Sequence, residues 1–310
     1  VRENKMATKL QVTELDFDDI KNNLKTYMKN QTEFTDYDFE GSGLSTIIDL
    51  LAYNTHYLAM NANMAVNEAF LDTATLRSSV VSHAKTLGYT PRSVRSPVAY
   101  VDVTLNSFVG GSATISKGTK FTTQVDGSTY GFVVNGSQTV SPVNGVTRFV
   151  NLPISEGTLV TAKYTTDNTN LDKKYMITDA RADTTTLQVS IQNSISDVTT
   201  TTYTLATDIS QVSATSNVYF LQEVEDGKYE VYFGDGIIGS KPSDGNIVIL
   251  EYIVTNKAAA NGASIFSGTS VSGETDITIA TLVRATGGAE AESLESIKYN
   301  APLDYSSQGR

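Results

Sequence analysis

The 310-residue sequence contains no cysteine, which excludes disulfides, thiolate zinc fingers and thiol catalysis. Its two histidines, His56 and His83, fall on different predicted helices, and neither has a second ligand at i+4, so no metal site is expected. Basic residues are in deficit as well: 23 Lys and Arg against 34 Asp and Glu leave a formal charge of −11 and a pI near 4.7. That balance opposes binding to nucleic acid or to an anionic membrane, since both rely on cations that neutralise phosphate, and it favours a basic partner surface. No apolar run is long enough to span a bilayer, and the opening VRENKMATKLQVTELDF lacks the apolar centre of a signal peptide. A soluble chain made in a cytoplasm is expected, with Met6 as the native start and VRENK as an upstream extension.

What is present suffices for two domains with proper cores: 40% of the residues are apolar. The first 90 or so have a helical period. In DFDDIKNNLKTYMKN, Asp16 can cap a helix, Asp18 and Asp19 suit its positive end, and Phe17, Ile20 and Leu24 recur on one stripe with Tyr27 and Met28. Residues 43–71, GLSTIIDLLAYNTHYLAMNANMAVNEAFL, have no proline and no internal glycine, so one helix of roughly 40 Å is predicted. At about 100° per residue, Leu44, Ile47, Ile48, Leu51, Leu58 and Ala65 fall along one side, and Tyr53, Tyr57, Met60 and Met64 on the other. A helix lying on one core needs a single apolar face, so this one is expected to be sandwiched in a bundle. TLRSSVVSHAKTLG adds a third helix that stops at Gly88, and two short helices leave the long one needing cover from other chains.

From residue 97 the period changes to two and the composition to Thr, Val, Ser and Gly. Strands are predicted over 97–106, 158–164, 185–192, 246–255 and 276–283, and a short helix near 290–299. Turn signals recur at Asp126-Gly127, Asn135-Gly136, Asn144-Gly145 and Asp226-Gly227. The last predicts a two-residue hairpin that sets Val224 opposite Tyr229 and Phe220 opposite Phe233. The fold class is α+β: a region of long bundled helices, then a mostly antiparallel β domain with a short C-terminal helix. Residues 1–15 form an extension, 16–90 the helical bundle region and 97–310 the β-rich region, with a softer boundary at 165–174.

YFGDGIIGSKP, over residues 232–242, spaces Gly234, Gly236 and Gly239 as a dinucleotide-binding fingerprint does. A phosphate cradle needs a helix N-terminus behind the glycines, yet Pro242, Asp244-Gly245 and another strand follow. A tight turn between strands is expected, with no cofactor. No G-x-S-x-G elbow and no EF-hand loop is present, and Glu223 with Glu225 reads as an ordinary solvated pair rather than an acid/base couple. No enzyme is expected. A Tyr-rich β surface leaves a receptor- or carbohydrate-binding module as the alternative class.

EFTDYDFEGSGLSTIIDLLAYNTHYLAMNANMAVNEAFLDTATLRSSVVSHAKTLGYT, over residues 33–90, closely resembles the N-terminal helical region of baseplate wedge proteins of contractile-tailed bacteriophages. That family is related to the baseplate J-like proteins of other contractile injection systems. YEVYFGDGIIGSKPSDGNIVILEYIVTNKAAANG and TGGAEAESLESIKYNAP extend the resemblance, which runs in order from about Met6 to Arg310. It implies a noncatalytic virion protein of the tail baseplate, pairing through its N-terminal helices with itself, as a homodimer within a wedge, and with a second, longer wedge protein. Wedges of this kind join around the tail hub with other baseplate and sheath-initiating proteins, without nucleic acid or membrane. The implied interface is Phe17, Ile20 and Leu24 of the first helix with Leu44, Ile47, Ile48, Leu51, Tyr53, Tyr57, Leu58, Met60 and Met64 of the long one. Family members continue past a segment like NAPLDYSSQGR into a region of further self-association, so this sequence is expected to be part of a longer protein.

Overall fold

The computed structural model describes residues 16–31, 42–167, 169, 174–207 and 211–307. The expected extension over 1–15, with Met6, and half of the 165–174 boundary lie outside the described residues. The chain divides into two compact units, Val1–Tyr89 with Leu294–Arg310, and Thr90–Ser293.

In the first unit the Asp16 carboxylate accepts from the Asp18 and Asp19 N–H groups at 2.8 and 3.2 Å and starts α1 (Phe17–Lys29). Ser42 does the same for α2 (Gly43–Glu68), accepting from the Ser45 N–H at 2.9 Å. The 26 residues of α2 make it about 39 Å long. α3 (Arg77–Thr86) ends where TLG predicts: Gly88 takes φ 79°, its N–H reaches the Lys85 carbonyl, and the Tyr89 N–H reaches that of Ala84, each at 3.0 Å. α1 packs on α2, burying Ile20 and Ile48, and Lys21 pairs with Asp49 across the contact at 2.6 Å. α3 packs on α4 (Leu294–Ser307), where Ala74, Val80, Val81, Ala84, Ile297 and Ala301 form a separate small core. The C-terminal helix therefore clusters with the helical unit, whereas the sequence grouped it with 97–310. It also starts later than residue 290 and runs past Pro302, an interior residue that normally marks a helix end.

The second unit holds two sheets. The first, in spatial order β14-β3-β4-β6-β1-β15, is built from β1 (Val98–Leu105), β3 (Lys120–Val125), β4 (Ser128–Val134), β6 (Thr147–Glu156), β14 (Ser267–Gly268) and β15 (Ile277–Thr286). The ribbon of β2 (Ala113–Ile115) and β5 (Gln138–Val140) helps close its core around Phe121, Phe132, Phe149 and Phe266. The second sheet runs β7-β13-β9-β10-β11-β12-β8. Its strands are β7 (Thr158–Thr165), β8 (Lys174–Ile177), β9 (Ala182–Gln192), β10 (Thr200–Leu205), β11 (Val218–Glu223), β12 (Tyr229–Phe233) and β13 (Ile247–Val254). Only β10 with β11 is parallel among the described pairings.

Consecutive strands β7 and β8 occupy opposite edges of this sheet, and the sheet curls to bring them together: the Tyr164 hydroxyl donates to the Met176 carbonyl at 2.6 Å. Tyr175, Tyr203, Tyr219, Tyr229 and Tyr252 fill the inside. Five of the tyrosines that suggested a stacking surface are thus core residues, apolar over most of the ring; Tyr229 donates to the Pro91 carbonyl at 2.9 Å, and Tyr203 accepts from the Ser240 hydroxyl at 2.9 Å.

The sheets join at Gly157, where β6 becomes β7. Its φ is 125°, and a Cβ would lie 2.3 Å from the Val254 carbonyl oxygen, so only glycine fits. The fully buried Glu156 accepts from Thr255 Oγ1 at 2.6 Å, Asn256 N–H at 2.9 Å and Asn256 Nδ2 at 2.7 Å. Asp183, also buried, accepts from the Ser96 N–H and hydroxyl at 2.7 Å each. These bonds fix the two sheets to one another, and their division lies at Gly157, ahead of the 165–174 segment.

The turn signals divide. Asp126-Gly127 makes a two-residue turn with φ 49° and 79°, setting Val125 opposite Ser128, and Asn144-Gly145 does the same for Val143 and Val146. Asn135-Gly136 makes no hairpin, because β5 pairs with β2. At Asp226-Gly227 the expected register is off by one. Residues 225–227 form a single 3₁₀ turn with Gly227 at φ 71°, a three-residue loop, so Glu223 faces Tyr229, and Phe220 faces Tyr232. A one-residue slip exchanges the faces, which turns Tyr219 and Phe233 inward and leaves Phe220 stacked on Tyr232 at 5.2 Å.

Candidate assembly interface

α2 carries three apolar directions. The middle one, Ser45, Ile48, Ala52, Ala59 and Asn63, is buried within the unit. Its small residues let a neighbouring backbone approach closely. About 110° to one side and about 130° to the other run two stripes that the described chain does not cover. One has Ile47, Leu51 and Leu58; the other has Tyr53, Tyr57, Met60, Met64 and Leu50. All eight are between 48% and 66% exposed. The aromatic stripe is partly ordered by itself, since the Tyr53 and Tyr57 rings lie 5.3 Å apart.

The sequence-derived interface residues separate accordingly. Ile20 and Ile48 are buried, Phe17, Leu24 and Leu44 are half-buried, and Ile47, Leu51, Tyr53, Tyr57, Leu58, Met60 and Met64 are exposed. Ile48 lies in the buried middle and not on the stripe with Leu51, a difference of about 60° around the helix. Leu50, the most exposed large apolar residue of α2, was missed, and Tyr27, read on the apolar stripe of α1 but left out of the interface, is 65% exposed. Leu50 lies three residues before Tyr53, a spacing that would have placed it on the aromatic stripe.

The end of α2 is locked by Glu68. Its carboxylate accepts from the Thr75 N–H at 2.8 Å, the Thr75 hydroxyl at 2.6 Å and the Leu76 N–H at 3.3 Å, which supplies the cap that Leu76 cannot give α3. Burial pushes the carboxyl up, but these bonds, with one from Ser79, outweigh it and hold the pKa at about 2. His83 Nε2 lies 2.9 Å from the Glu68 carbonyl, so this histidine joins α3 to the end of α2.

The glycines of residues 234–239 form a backbone turn. Asp235 Oδ1 accepts from the Ile237 and Ile238 N–H groups at 2.9 and 3.1 Å, Gly236 and Gly239 take φ 92° and 85°, and a Cβ on Gly234 would lie 2.1 Å from the Ile238 carbonyl oxygen. The turn closes on its own backbone, and β13 follows instead of a helix. Glu223 is buried and Glu225 is exposed in the 3₁₀ turn, so the two carboxylates do not share a face. A polar cavity of about 360 Å³ lies between the sheets beside Arg95, Asn135 and Asp183. Four bonds occupy the Asp183 carboxylate there, from Ser96 and from the Thr185 N–H and hydroxyl at 2.9 and 2.6 Å, and its role is structural.

Comparison with known proteins assigns the chain to a family. Residues 16–89 match the family described as "Baseplate wedge protein gp6-like, helical domain", and residues 160–266 match "Bacteriophage baseplate wedge protein gp6, third domain". The baseplate wedge protein gp6 of Enterobacteria phage T4 is 31% identical over 95% of this chain and 47% of its own length. The chain belongs to the gp6-like baseplate wedge protein family. Membership makes it a structural protein of the virion's tail baseplate. It spans about half the length of the phage T4 relative. Among solved structures, a chain of the anti-feeding prophage (AFP) baseplate aligns over 97% of this chain and 62% of that one, 11% identical with a TM-score of 0.36, too slight a likeness to carry an argument. The helical match takes in all of α1, α2 and α3, and so includes both exposed stripes.

Proposed function

We propose that this chain is a noncatalytic wedge component that assembles through α2, one stripe meeting the same helix of a second copy and the other a longer wedge protein. The resulting wedges join other baseplate and sheath-initiating proteins around the tail hub. The observation that carries this reading is the pair of exposed stripes on α2. Large side chains at these positions add nothing to the unit's own core, and an isolated helix pair of this size gains most of its stability from the faces that it buries. Two separate stripes, about 120° apart around the helix, suit a bundle of three or more helices. In the first unit the middle stripe is already used by α1, which leaves the flanks for other chains.

The test is the mass of the assembly formed with the other wedge proteins, by size exclusion with light scattering. Leu51→Asp with Leu58→Asp, and separately Tyr57→Asp with Met60→Asp, should each remove a different partner from the complex while the chain remains folded. Full complexes from both variants would rule the reading out.

A further inference from the structure

One end of the curled sheet, in the second unit, carries exposed aliphatic side chains of its own. The described loops over 166–167, 193–199, 211–217 and 234–246 meet there. The Asn246 side-chain amide donates to the Asn193 carbonyl at 2.8 Å, the Gly245 N–H to that of Thr166 at 3.0 Å, the Ser240 N–H to that of Ser216 at 2.8 Å and the Gly239 N–H to that of Ser213 at 3.1 Å. This is the end of the sheet opposite to the one that meets the start of the unit, where Tyr229 bonds to Pro91, and Thr90 to the Leu221 carbonyl at 3.1 Å.

On these loops Ile195, Val198, Ile237 and Ile238 are 82%, 74%, 75% and 44% exposed. The backbone beneath them is fixed. Asp235 holds the Ile237 and Ile238 N–H groups, and Asp197 accepts from the Thr199 N–H at 3.0 Å and from Asn193 Nδ2 at 2.8 Å. Aliphatic side chains held outward on bonded loops do nothing for the core, and they need no ordering on contact, which lowers the entropic cost of binding. Among the described residues of these loops, Asp167, Asp197, Asp235 and Asp244 are exposed, against Lys241 as the one cation. The same backbone and side-chain donors hold the Asp197 and Asp235 carboxyls below the usual range, so they remain ionised.

We propose that this loop end docks a separate tail protein whose aliphatic patch is rimmed by lysine and arginine. The four aliphatic residues would lie at the centre of the contact, with the aspartates on its rim. A second copy of this chain docked through the same loop end is the wrong occupant, because it would set the same exposed aspartates against one another across the contact.

The test uses assembled tails in which Ile237 is replaced by a photoreactive phenylalanine, with the same replacement at Leu58 as an independent report on the α2 contact. Irradiation at 237 should give one adduct, mapped by mass spectrometry to a different virion protein at a peptide with flanking Lys or Arg. Adding Ile195→Asp and Val198→Asp should cut its yield at least roughly tenfold without changing the adduct from position 58 or the melting of the chain. No adduct at 237, an adduct to a second copy or to an acidic or neutral surface, or a yield unaffected by the two aspartates would overturn the proposal. Loss of the 58 adduct alone would instead count against the bundle.

Discussion

Glu68 shows how one side chain sets the geometry of a helical unit. α3 has no capping side chain at Leu76, so the Glu68 carboxylate, arriving from the end of α2, supplies both the hydrogen-bond acceptor and the negative charge at the start of α3. Replacing Glu68 with Gln should destabilise the chain by about 1 kcal/mol, the usual scale for a lost cap. The folded carboxyl titrates at about 2 and its ordinary value is 4.5, so its contribution is full above pH 4.5 and is lost as the pH falls through 2. Denaturant unfolding of both proteins across that window checks the sign: the gap between them should close toward low pH, and an undiminished gap would contradict the latch. Gly157 makes a sharper demand, because its φ of 125° suits glycine and a Cβ would meet the Val254 carbonyl. Gly157→Ala should cost about 2 kcal/mol or more, read as a lower unfolding midpoint of the second unit. Neither role was legible in the sequence. Glu68 acts seven and eight residues away across a helix junction, and Gly157 answers to a strand almost a hundred residues later.

At the scale of the element, what could be read was what local chemistry decides. Asp16 as the cap of α1, Gly88 as the end of α3 and Asp126-Gly127 as a two-residue turn all follow from groups within four residues of one another. Asp226-Gly227 shows the limit of such signals. The same dipeptide serves two-residue and three-residue loops, and the choice is made by which residues of β11 and β12 the core takes in. The two stripes of α2 were visible in its periodicity, but not the narrow buried face of small residues between them, because Ala and Ser carry little hydrophobic signal. That face yields a contrast. Ile48→Asp places a charge in the α1–α2 contact and should unfold the first unit, whereas Leu51→Asp with Leu58→Asp, on exposed positions, should leave its helicity and melting within about 0.5 kcal/mol of the original. Circular dichroism on heating separates the two.

For the whole molecule, the division of labour follows from composition. α2 places eight large exposed apolar side chains on one helix, while the second unit closes its own cores around phenylalanines and tyrosines and fixes its sheets to one another with buried carboxylates. A wedge component of this kind would join its neighbours by the helices and present the β unit as a stiff body, which suits transmission of a change in baseplate state better than catalysis does. The measurement closest to that claim is recovery of the tagged chain from assembled tails, followed by quantitative mass spectrometry of what accompanies it. The account predicts other wedge proteins in fixed ratio with the original chain, and their loss with Leu51→Asp and Leu58→Asp although the chain is folded. Recovery in the same ratio from that variant would contradict it.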